Sequence, residues 1–235
     1  MSGFCKQTCK HVPPLKIVGT YQNQRKYMYI PPQFEEVRET EILKIIENFP
    51  LAVLVCNNDG VLIANHIPLF RHSPSTYLGH IAKANQLHNI FPNGADALAI
   101  FSSENSYVSP NWYPTKAETH RHVPTWNYQV VHMEGRLSFD YSNKSKLRVV
   151  GSLTKLYERL HFGDAEWKMS DAPKDFMEQM LDSIVAFQFD VKSVVAKSKL
   201  SQNRELQDFN SVKKNMQEQD RLHLFNAMVG IEKES

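Results

Sequence analysis

The sequence predicts a mainly β fold with peripheral helices, an α+β protein built around one antiparallel barrel. A hairpin signal comes early, because two strand-like runs flank a turn at residues 57–60 that ends in Asp-Gly. Further strand-like runs follow, and helical patterns stand at the edges rather than alternating with the strands. No glycine-rich phosphate turn follows any strand, so the sequence gives no support to a Rossmann fold.

Apolar periodicity assigns the elements in order. Ile42, Ile45, Ile46 and Phe49 recur at helical spacing, which predicts a helix from residue 39 that ends at Pro50. Strands are predicted over residues 51–56, 61–70, 76–81, 95–101, 126–139 and 184–195, and helices over residues 83–90, 144–160, 173–181 and 200–228. We interpret one helical apolar stripe as core, and its members are Phe176, Met177, Met180, Leu181 and Ile184.

The domain organisation follows from the chain length and from where apolar periodicity begins. Residues 1–27 are polar and without periodicity, so we expect a loosely ordered N-terminal extension. Residues 28–235 are expected to form a single domain that ends in a C-terminal helix. Cys5 and Cys9, with His11, have no fourth ligand and no usual zinc spacing, which favours incidental thiols over a metal site. Cys56 closes an apolar run and is interpreted as a buried small hydrophobe.

Composition and charge exclude several classes of protein. A formal net charge of +2 with mixed signs gives no strong field that would mark a nucleic-acid or membrane partner, so direct DNA binding is doubtful. Three cysteines are too few for a disulfide scaffold and fit a reducing cytoplasm. No apolar run reaches the length of a membrane span, and no signal-peptide pattern opens the chain. The predicted location is therefore cytoplasmic.

The first candidate cluster is suited to an anion. It comprises Asn65, His66, Ile67 and Pro68 on the return strand of the hairpin, and His80, Lys83 and Asn85 where the next strand ends. Free amides and a lysine at a strand-to-helix junction bind phosphate well. Lys83 is the best phosphate candidate. Taken alone, these histidines and this lysine would be ordinary structural or surface residues.

The second cluster is aromatic and polar. Its residues are Trp126, Asn127 and Tyr128, with Tyr107, Ser109, Trp112, Lys116 and Thr125 as a second tier. Buried indole and phenol groups need hydrogen-bond partners, and proline interrupts strand pairing, so this stretch suits the wall of a site for a flat ligand with polar edges. A purely structural role, in which the aromatic rings hold loops against the barrel, is the alternative.

The third cluster is a row of donors after the last strand, formed by Lys199, Ser201, Gln202 and Asn203. It has the pattern of a helix start capped by Ser201 or Asn203, which is compatible with ligand contact at the ribityl or pyrimidine edge of a cofactor. His120 and His122 have no third ligand nearby, so we predict no metal site. Motifs of serine, cysteine and metallohydrolases are absent from the sequence.

Together these motifs resemble the PaiB-type FMN-binding negative transcriptional regulators, a branch of the FMN-binding split-barrel group that includes pyridoxamine-phosphate oxidases. The matching runs are Met28-Tyr29-Ile30-Pro31, His66-Ile67-Pro68-Leu69, Gly79-His80-Ile81-Ala82-Lys83-Ala84-Asn85, Tyr107-Val108-Ser109-Pro110, Val123-Pro124-Thr125-Trp126-Asn127-Tyr128, Gly135-Arg136-Leu137, Asp171-Ala172-Pro173 and Lys199-Leu200-Ser201-Gln202-Asn203. They occur in family order across residues 28 to about 215.

The resemblance implies an antiparallel FMN-binding split β-barrel that forms a homodimer with FMN at the subunit interface. It also implies that the strand from Asn65 lies along the flavin and that His80 and Lys83 face the phosphate. The aromatic and donor clusters would line the site, in part from the partner subunit. The chain departs from the family pattern at five positions, with Asn65 for threonine, Lys83 for arginine, Gln86 for proline, Ala196 for glycine and Ser198 for tryptophan.

Two functions follow from this resemblance. The first is an FMN-binding protein of the regulator type. The alternative is an enzyme, an FMN-dependent oxidoreductase that uses NAD(P)H or a small oxidisable substrate, in which the cofactor supplies the electron chemistry. Haem binding on the same scaffold is a third and weaker interpretation, prompted by the ten histidines.

Overall fold

Residues 28–231 are described in the computed structural model of the protein, so the predicted extension with Cys5, Cys9 and His11 lies outside the described residues. The strands are β1 (Leu51–Asn58), β2 (Val61–Pro68), β3 (Phe70–Ser73), β4 (Thr76–Ala82), β5 (Ala95–Val108), β6 (Thr125–Asp140) and β7 (Ile184–Lys199). The helices are α1 (Glu39–Asn48), α2 (Leu87–Ile90), α3 (Lys116–Thr119), α4 (Asn143–Phe162), α5 (Lys174–Asp182), α6 (Leu206–Glu218) and α7 (Leu222–Val229).

The seven strands form one sheet in the order β2-β1-β5-β6-β7-β4-β3, and each of its strand pairs is antiparallel. The sheet curls so that β2, at one edge, approaches β4, near the other edge. The contact is a hydrogen bond from Asn85 Nδ2, just after β4, to Asn65 Oδ1 on β2 at 2.8 Å. This is a barrel that is not fully closed by strand pairing. The predicted fold class, an antiparallel split barrel with peripheral helices, is confirmed.

Alternation along the strands separates an inner from an outer face. The inner face holds the main core, in which Leu54, Tyr77, Phe101 and Phe187 are buried. Cys56 is buried in the same core, as its position after an apolar run predicts. The outer face is covered by helix only in part. On the part formed by β4 and β7, α4 packs its apolar side against the sheet, and the buried residues there are Phe70, Leu78, Val149, Leu153 and Ala186.

A second, smaller core lies where β5, β6 and β7 extend beyond the main one. Helices α6 and α7 bury Phe209, Met216, Leu224 and Met228 against Val108 and neighbouring residues. The prediction of a single helix over residues 200–228 is wrong, because this segment contains two helices that begin only at Leu206. Asp220 has a left-handed φ of 55° and separates the two helices, so the chain doubles back as a helical hairpin and covers the strand ends from both sides.

Three further boundaries differ from the prediction. The strand predicted over residues 61–70 divides at Leu69, whose side chain is buried and whose N–H bonds to Pro50 O at 2.9 Å rather than to a ladder partner. The helix predicted over residues 83–90 is confined to α2, where Asn85 Oδ1 accepts from Leu87 N at 3.0 Å. Strand β5 continues to Val108, past the predicted end at residue 101.

The apolar stripe predicted as core on α5 is mostly exposed. Phe176 is 48% exposed and Met180 43%, whereas Leu181 is buried at 7%. The helix lies at the edge of the sheet beside α4 and the start of β7, so one side of it meets the protein and the rest faces outward. Within residues 28–231, no helix is long and apolar enough to cross a membrane.

Gly135 lies where β6 crosses an irregularity in its pairing with β7. A Cβ at Gly135 would collide with the backbone oxygen of Asp190 and stand 2.7 Å from Phe189 Cζ. We expect Gly135→Ala to lower the free energy of unfolding by about 3 kcal/mol, because the backbone has no room to shift. The control is Gly151→Ala in α4, where the nearest atom is 3.6 Å away. This change should raise stability by up to about 1 kcal/mol. Urea denaturation measures both, and equal effects would contradict the expectation.

Candidate functional site

The anion-binding candidates lie where β2 and β4 meet. Asn65 points to the inner side and bonds to Asn85, and Ile67 is buried in the main core. His66 and Pro68 alternate with them and are exposed on the outer face. The four candidates on β2 therefore have two different surroundings. Asn65 and Ile67 face the interior of the barrel, whereas His66 and Pro68 are exposed and available to a ligand.

His80 and Lys83 form the other half of this group. His80 pairs with Ala186 on β7 and lies on the outer face, and burial lowers the pKa of its imidazole. Its Nδ1 is buried without a hydrogen-bond partner among residues 28–231. Lys83 is exposed, and its N–H is held by Ser183 O at 2.7 Å. A buried ring nitrogen without a partner, close in sequence to an exposed cation, is expected where a ligand supplies the missing contact.

The aromatic candidates lie on the outer face at the other end of the sheet. Trp126 and Tyr107 face each other across β6 and β5, with ring centroids 5.8 Å apart, and are 52% and 46% exposed. Tyr128 pairs with Lys199 on β7. Lys199 Nζ donates to Thr125 Oγ1. These side chains make an open wall of rings with a cation and a hydroxyl at its edge.

Sequence reasoning missed Lys197 in this group. Lys197 precedes Lys199 by two residues and so lies on the same face of β7. Its Nζ lies over the rings of Tyr128, at 5.4 Å, and Tyr29, at 5.8 Å. Lys197 was missed because the predicted strand over residues 184–195 stopped before this position, whereas β7 continues to Lys199. Extending the alternation of that strand by four residues would have placed Lys197 on the same face as Lys199.

Asn127, Ser201 and Gln202 all bond within the chain. Asn127 is fully buried, and its Oδ1 accepts from Ser201 Oγ at 2.9 Å. Ser201 has a left-handed φ of 62°, and α6 begins only at Leu206 with no side-chain cap, so the predicted helix start capped by Ser201 or Asn203 is wrong. Gln202 bridges Leu200 N and Ser198 O, and Asn203 is exposed. The geometry gives this turn a supporting role behind the aromatic wall.

A buried polar network stands behind the same wall. Glu36 Oε2 accepts from Ser198 Oγ at 3.0 Å, and Ser198 Oγ accepts from Gln129 Nε2 at 2.8 Å. Gln129 Oε1 is 2.8 Å from His223 Nε2 on α7. Arg38 completes the chain through a bidentate contact with Glu36. Sequence reasoning missed this network, because its members are separate in the chain and only the fold brings them together.

Charge balance holds Glu36 ionised. Burial is the largest single influence and raises the pKa of Glu36, but the hydrogen bonds and charge of Arg38, with the Ser198 hydroxyl, together leave that pKa below its usual value. Burial is also the main reason that the pKa of His223 is lowered. The network therefore runs from one carboxylate in the N-terminal segment to β7, then through the Gln129 amide of β6 to α7.

The loop between β5 and β6 carries the remaining second-tier candidates. Ser109 Oγ accepts from Asn111 N at 3.2 Å, and Lys116 Nζ donates to Asn111 Oδ1 at 2.5 Å. Trp112 packs against the second core. These contacts hold the loop to itself and to the protein.

The same loop is fastened to α6. The buried carboxylate of Asp208 accepts from both the N–H and the hydroxyl of Thr115, the latter at 2.7 Å. His122 Nε2 lies 2.8 Å from the same hydroxyl. His122 is therefore engaged in holding the loop. No cluster of potential metal ligands occurs in the described part of the chain, including the region of His120 and His122.

One chain does not bring the two candidate groups together. Ala82, next to Lys83, pairs with Ile184 at one end of β7, and Tyr128 pairs with Lys199 at the other. The strand has 16 residues, and at ~3.3 Å per residue it is roughly 50 Å long. The phosphate candidates and the aromatic wall therefore lie at opposite ends of the same strand.

The residues present fit a phosphorylated planar cofactor. One group offers Lys83 and the unpartnered Nδ1 of His80, which suit a phosphate. The other offers exposed rings at Trp126 and Tyr107 beside Lys199, which suit a flat polar ring system. An antiparallel split barrel that carries these two groups defines a class of flavin-binding proteins.

Comparison with known proteins identifies the family. Residues 28–193 match the family profile described as “Putative FMN-binding domain”. The chain therefore belongs to this FMN-binding family, which confirms the PaiB-type resemblance and FMN as the cofactor. A relative, “Protease synthase and sporulation protein PAI 2” of Bacillus subtilis (strain 168), is 33% identical over 197 residues, which cover 82% of this chain and 91% of that protein.

Solved structures support the fold alone. The FAD and heme binding protein from Mycobacterium smegmatis superimposes with a TM-score of 0.53 at 14% identity, over 70% of this chain and 73% of that one. The flavocytochrome Anf3 from Azotobacter vinelandii gives 0.52 at 12% identity, over 71% and 69%. At such low identity the shared property is the arrangement of the strands.

Removal of the buried carboxylate tests the network behind the aromatic wall. We expect Glu36→Gln to lower the free energy of unfolding at pH 7 by about 1–3 kcal/mol, because Arg38 and Ser198 lose a charged acceptor. The folded-state pKa of Glu36 is lowered, so its contribution is present above its usual pKa of 4.5 and is lost as pH falls through the lower folded value.

The difference in stability between Glu36→Gln and the parent should therefore shrink as pH falls below 4.5. Urea denaturation over a range of pH measures it, with the exposed Glu178→Gln as the control. A difference that stays constant from neutral to acid pH would contradict the assigned ionisation.

Proposed function

We propose that this protein is a cytoplasmic, homodimeric FMN protein of regulatory function. Each flavin site is built from the phosphate group of one subunit, around His80 and Lys83, and the aromatic wall of the other, around Trp126 and Lys199. The observation that carries this proposal is the position of the two groups at opposite ends of β7. A single FMN cannot reach both within one chain, and an isologous dimer supplies two such sites.

The uncovered outer face supports a second copy as the partner. Val53 on β1 and Ile100 on β5 are paired neighbours that point outward and are only half-buried. Leu51 is 57% exposed and Leu62 on β2 is 71% exposed on the same face. An antiparallel sheet normally has polar residues on its solvent side. An apolar outer face of this kind is typical of a subunit interface.

FMN, when bound, supplies the capacity to accept and return electrons. The chain supplies binding and shape. Lys83 holds negative charge at the phosphate end, and the partner's Lys199 and aromatic wall hold the ring. The apolar face between them excludes water from the ring. The polar network of Glu36 and Gln129 keeps the wall in place from behind.

The regulatory part of the proposal is supported by the likeness to PAI 2, which is named for protease synthesis and sporulation. Control through the state of the flavin is preferred to direct recognition of an operator. The formal net charge of +2 provides no strong general attraction for DNA.

Shared sites are tested by mixing two variants. We expect Lys83→Met and Trp126→Ala each to weaken FMN binding while leaving the dimer intact, because both side chains are exposed. When the two are mixed and allowed to exchange subunits, half of the dimers are mixed, and each has one complete site. About a quarter of all sites should then bind FMN with the parent affinity, as measured by a fluorescence titration at fixed protein concentration.

The control mixes the parent with the double variant Lys83→Met/Trp126→Ala, whose mixed dimers contain no complete site. Light scattering establishes that each preparation is dimeric. Recovery of no sites on mixing the single variants, with exchange demonstrated, would show that each site belongs to one chain.

The regulatory role is tested in the cell. Transcript levels in a strain that lacks the gene are compared with those in a strain carrying Lys83→Met/Trp126→Ala. We expect the variant to reproduce the changes caused by the deletion, because control is proposed to require the flavin. If the variant protein is present and the transcript levels match those of the parent strain, regulation does not require FMN binding. A strain carrying Lys192→Met, outside the site, is the control.

A further inference from the structure

The second half of α4 carries an apolar row that the sheet does not cover. In the first half of the helix, Val149 and Leu153 are buried against the sheet. Leu156 and Leu160 continue the same row at helical spacing, but they are 50% and 69% exposed. Large apolar side chains exposed together on one element are typical of a surface that another element covers.

Two cations accompany this exposed row. Lys155 and Arg159 stand one residue before Leu156 and Leu160 respectively, so they form a neighbouring row along the helix. Both are exposed, and neither forms an ion pair with an acidic side chain within residues 28–231. The uncovered half of α4 is therefore apolar along one row and positive along the next.

Helix α5 repeats this arrangement with the opposite charge. Phe176 and Met180 are its exposed apolar pair, again spaced by one turn. Asp175 stands one residue before Phe176, and Asp182 lies two turns after Asp175. Both carboxylates are exposed, and neither takes part in an ion pair in the part of the chain that the structure describes.

The two helices complement each other when they run antiparallel. In each helix the charged row lies on the same side of the apolar row, because the charged residue comes one position earlier in the chain. Turning one helix end over end to face the other keeps that side in common. The apolar rows then meet, and the positive row of α4 lies beside the negative row of α5. Charges that flank an apolar seam set the choice and orientation of a partner helix.

The charges decide which molecule covers α4. A second α4 would place Lys155 and Arg159 against like charges. The N-terminal extension, residues 1–27, contains five Lys and Arg residues and no Asp or Glu, so it does not complement α4 either. Within one chain α5 is held beside α4 and the start of β7, and the apolar pairs of both helices stay exposed. The matching α5 must therefore come from another copy.

We propose that α4 and α5 form a second self-association surface, in which the exposed half of α4 in one copy packs antiparallel on α5 of another. A two-fold arrangement makes this contact twice, so the surface closes on itself. It lies on the part of the molecule formed by β4 and β7, away from the outer face of β1, β2 and β5. It would join two of the dimers proposed above into a tetramer. A contact of this small size is weak, so we expect association in the micromolar range.

Charge reversal on either helix tests the contact. Lys155→Glu/Arg159→Glu makes the α4 row negative, and Asp175→Lys/Asp182→Lys makes the α5 row positive. We expect each variant alone to raise the dissociation constant of the tetramer by about tenfold or more, which corresponds to ~1.4 kcal/mol. Analytical ultracentrifugation over a range of protein concentrations measures it. The positions are exposed, so the melting temperature should stay close to that of the parent.

Mixing the two variants is the sharper experiment. The negative α4 of the first variant meets the positive α5 of the second, and the unchanged helices of the two variants also match. Both contacts of the two-fold arrangement are therefore restored in a mixed assembly. We expect the tetramer to form in the mixture at concentrations at which neither variant forms it alone.

Two further variants separate pairing from general effects. Lys44→Glu/Lys192→Glu changes the net charge as much as the α4 variant does, at exposed positions outside α4 and α5. It should associate like the parent. Leu160→Ser removes an apolar contact without a change of charge and should weaken the tetramer.

Several outcomes would overturn the inference. One is a parent that has the same mass as the charge-reversed variants at every concentration. Another is a mixture of the two variants that does not form the tetramer. A parent that fails to self-associate but sediments with vesicles of equal parts phosphatidylcholine and phosphatidylglycerol would assign the surface to lipid instead.

Failure of the proposed function would look different. A parent that takes up no FMN would remove the flavin site and leave these measurements of mass unchanged, because none of the substituted residues belongs to that site. A monomer–dimer equilibrium with the same response to the variants would contradict the shared flavin site and leave the contact of α4 with α5 standing.

Discussion

The pairing of β6 with β7 is the interaction on which the rest of the structure depends. Both strands have 16 residues, and their pairing runs from Tyr128 and Lys199 to Asp140 and Ala186. This length exceeds what the main core needs, so the strand ends extend beyond it. One end receives α4 on its outer face, and the other receives α6 and α7 on its inner face. The aromatic wall is left open on the outer face because the second core occupies the inner one.

The alternation of these strands decides which residues serve structure and which face a ligand. Along β6, Asn127 and Gln129 point inward into polar contacts with Ser201 and Ser198, and Trp126 and Tyr128 point outward. These two inward amides of β6 are satisfied within the chain, as burial requires. Outward groups include the buried Lys197 and, among residues 28–231, a nitrogen of His80 without a hydrogen-bond partner. An uncompensated group such as this nitrogen reduces the stability of the isolated chain and is expected where a ligand completes the contacts.

Sequence patterns predicted the fold well, because each strand and most helices have their own local signal. The hairpin at residues 57–60, α1 before Pro50 and the antiparallel order were all within reach of periodicity and turn chemistry. The face on which a residue lies was harder to predict, because Asn65 and His66 are neighbours with opposite surroundings. Lys197 was missed since the predicted strand stopped at residue 195, and the network of Glu36, Gln129 and His223 joins residues far apart in sequence. The stripe on α5 was misread because periodicity shows that a helix has an apolar side but not that anything covers it.

The separation of the two ligand-binding groups has a consequence for how the protein responds to its cofactor. If each site draws the phosphate group from one subunit and the ring wall from the other, FMN binds only to the dimer, and binding must stabilise the dimer by the same free energy. The apolar outer face would supply affinity that does not depend on flavin, and the phosphate group and the aromatic wall would supply affinity that does. The association of subunits would thereby be linked to occupation of the site by flavin, which would give the protein a physical signal without any change of fold.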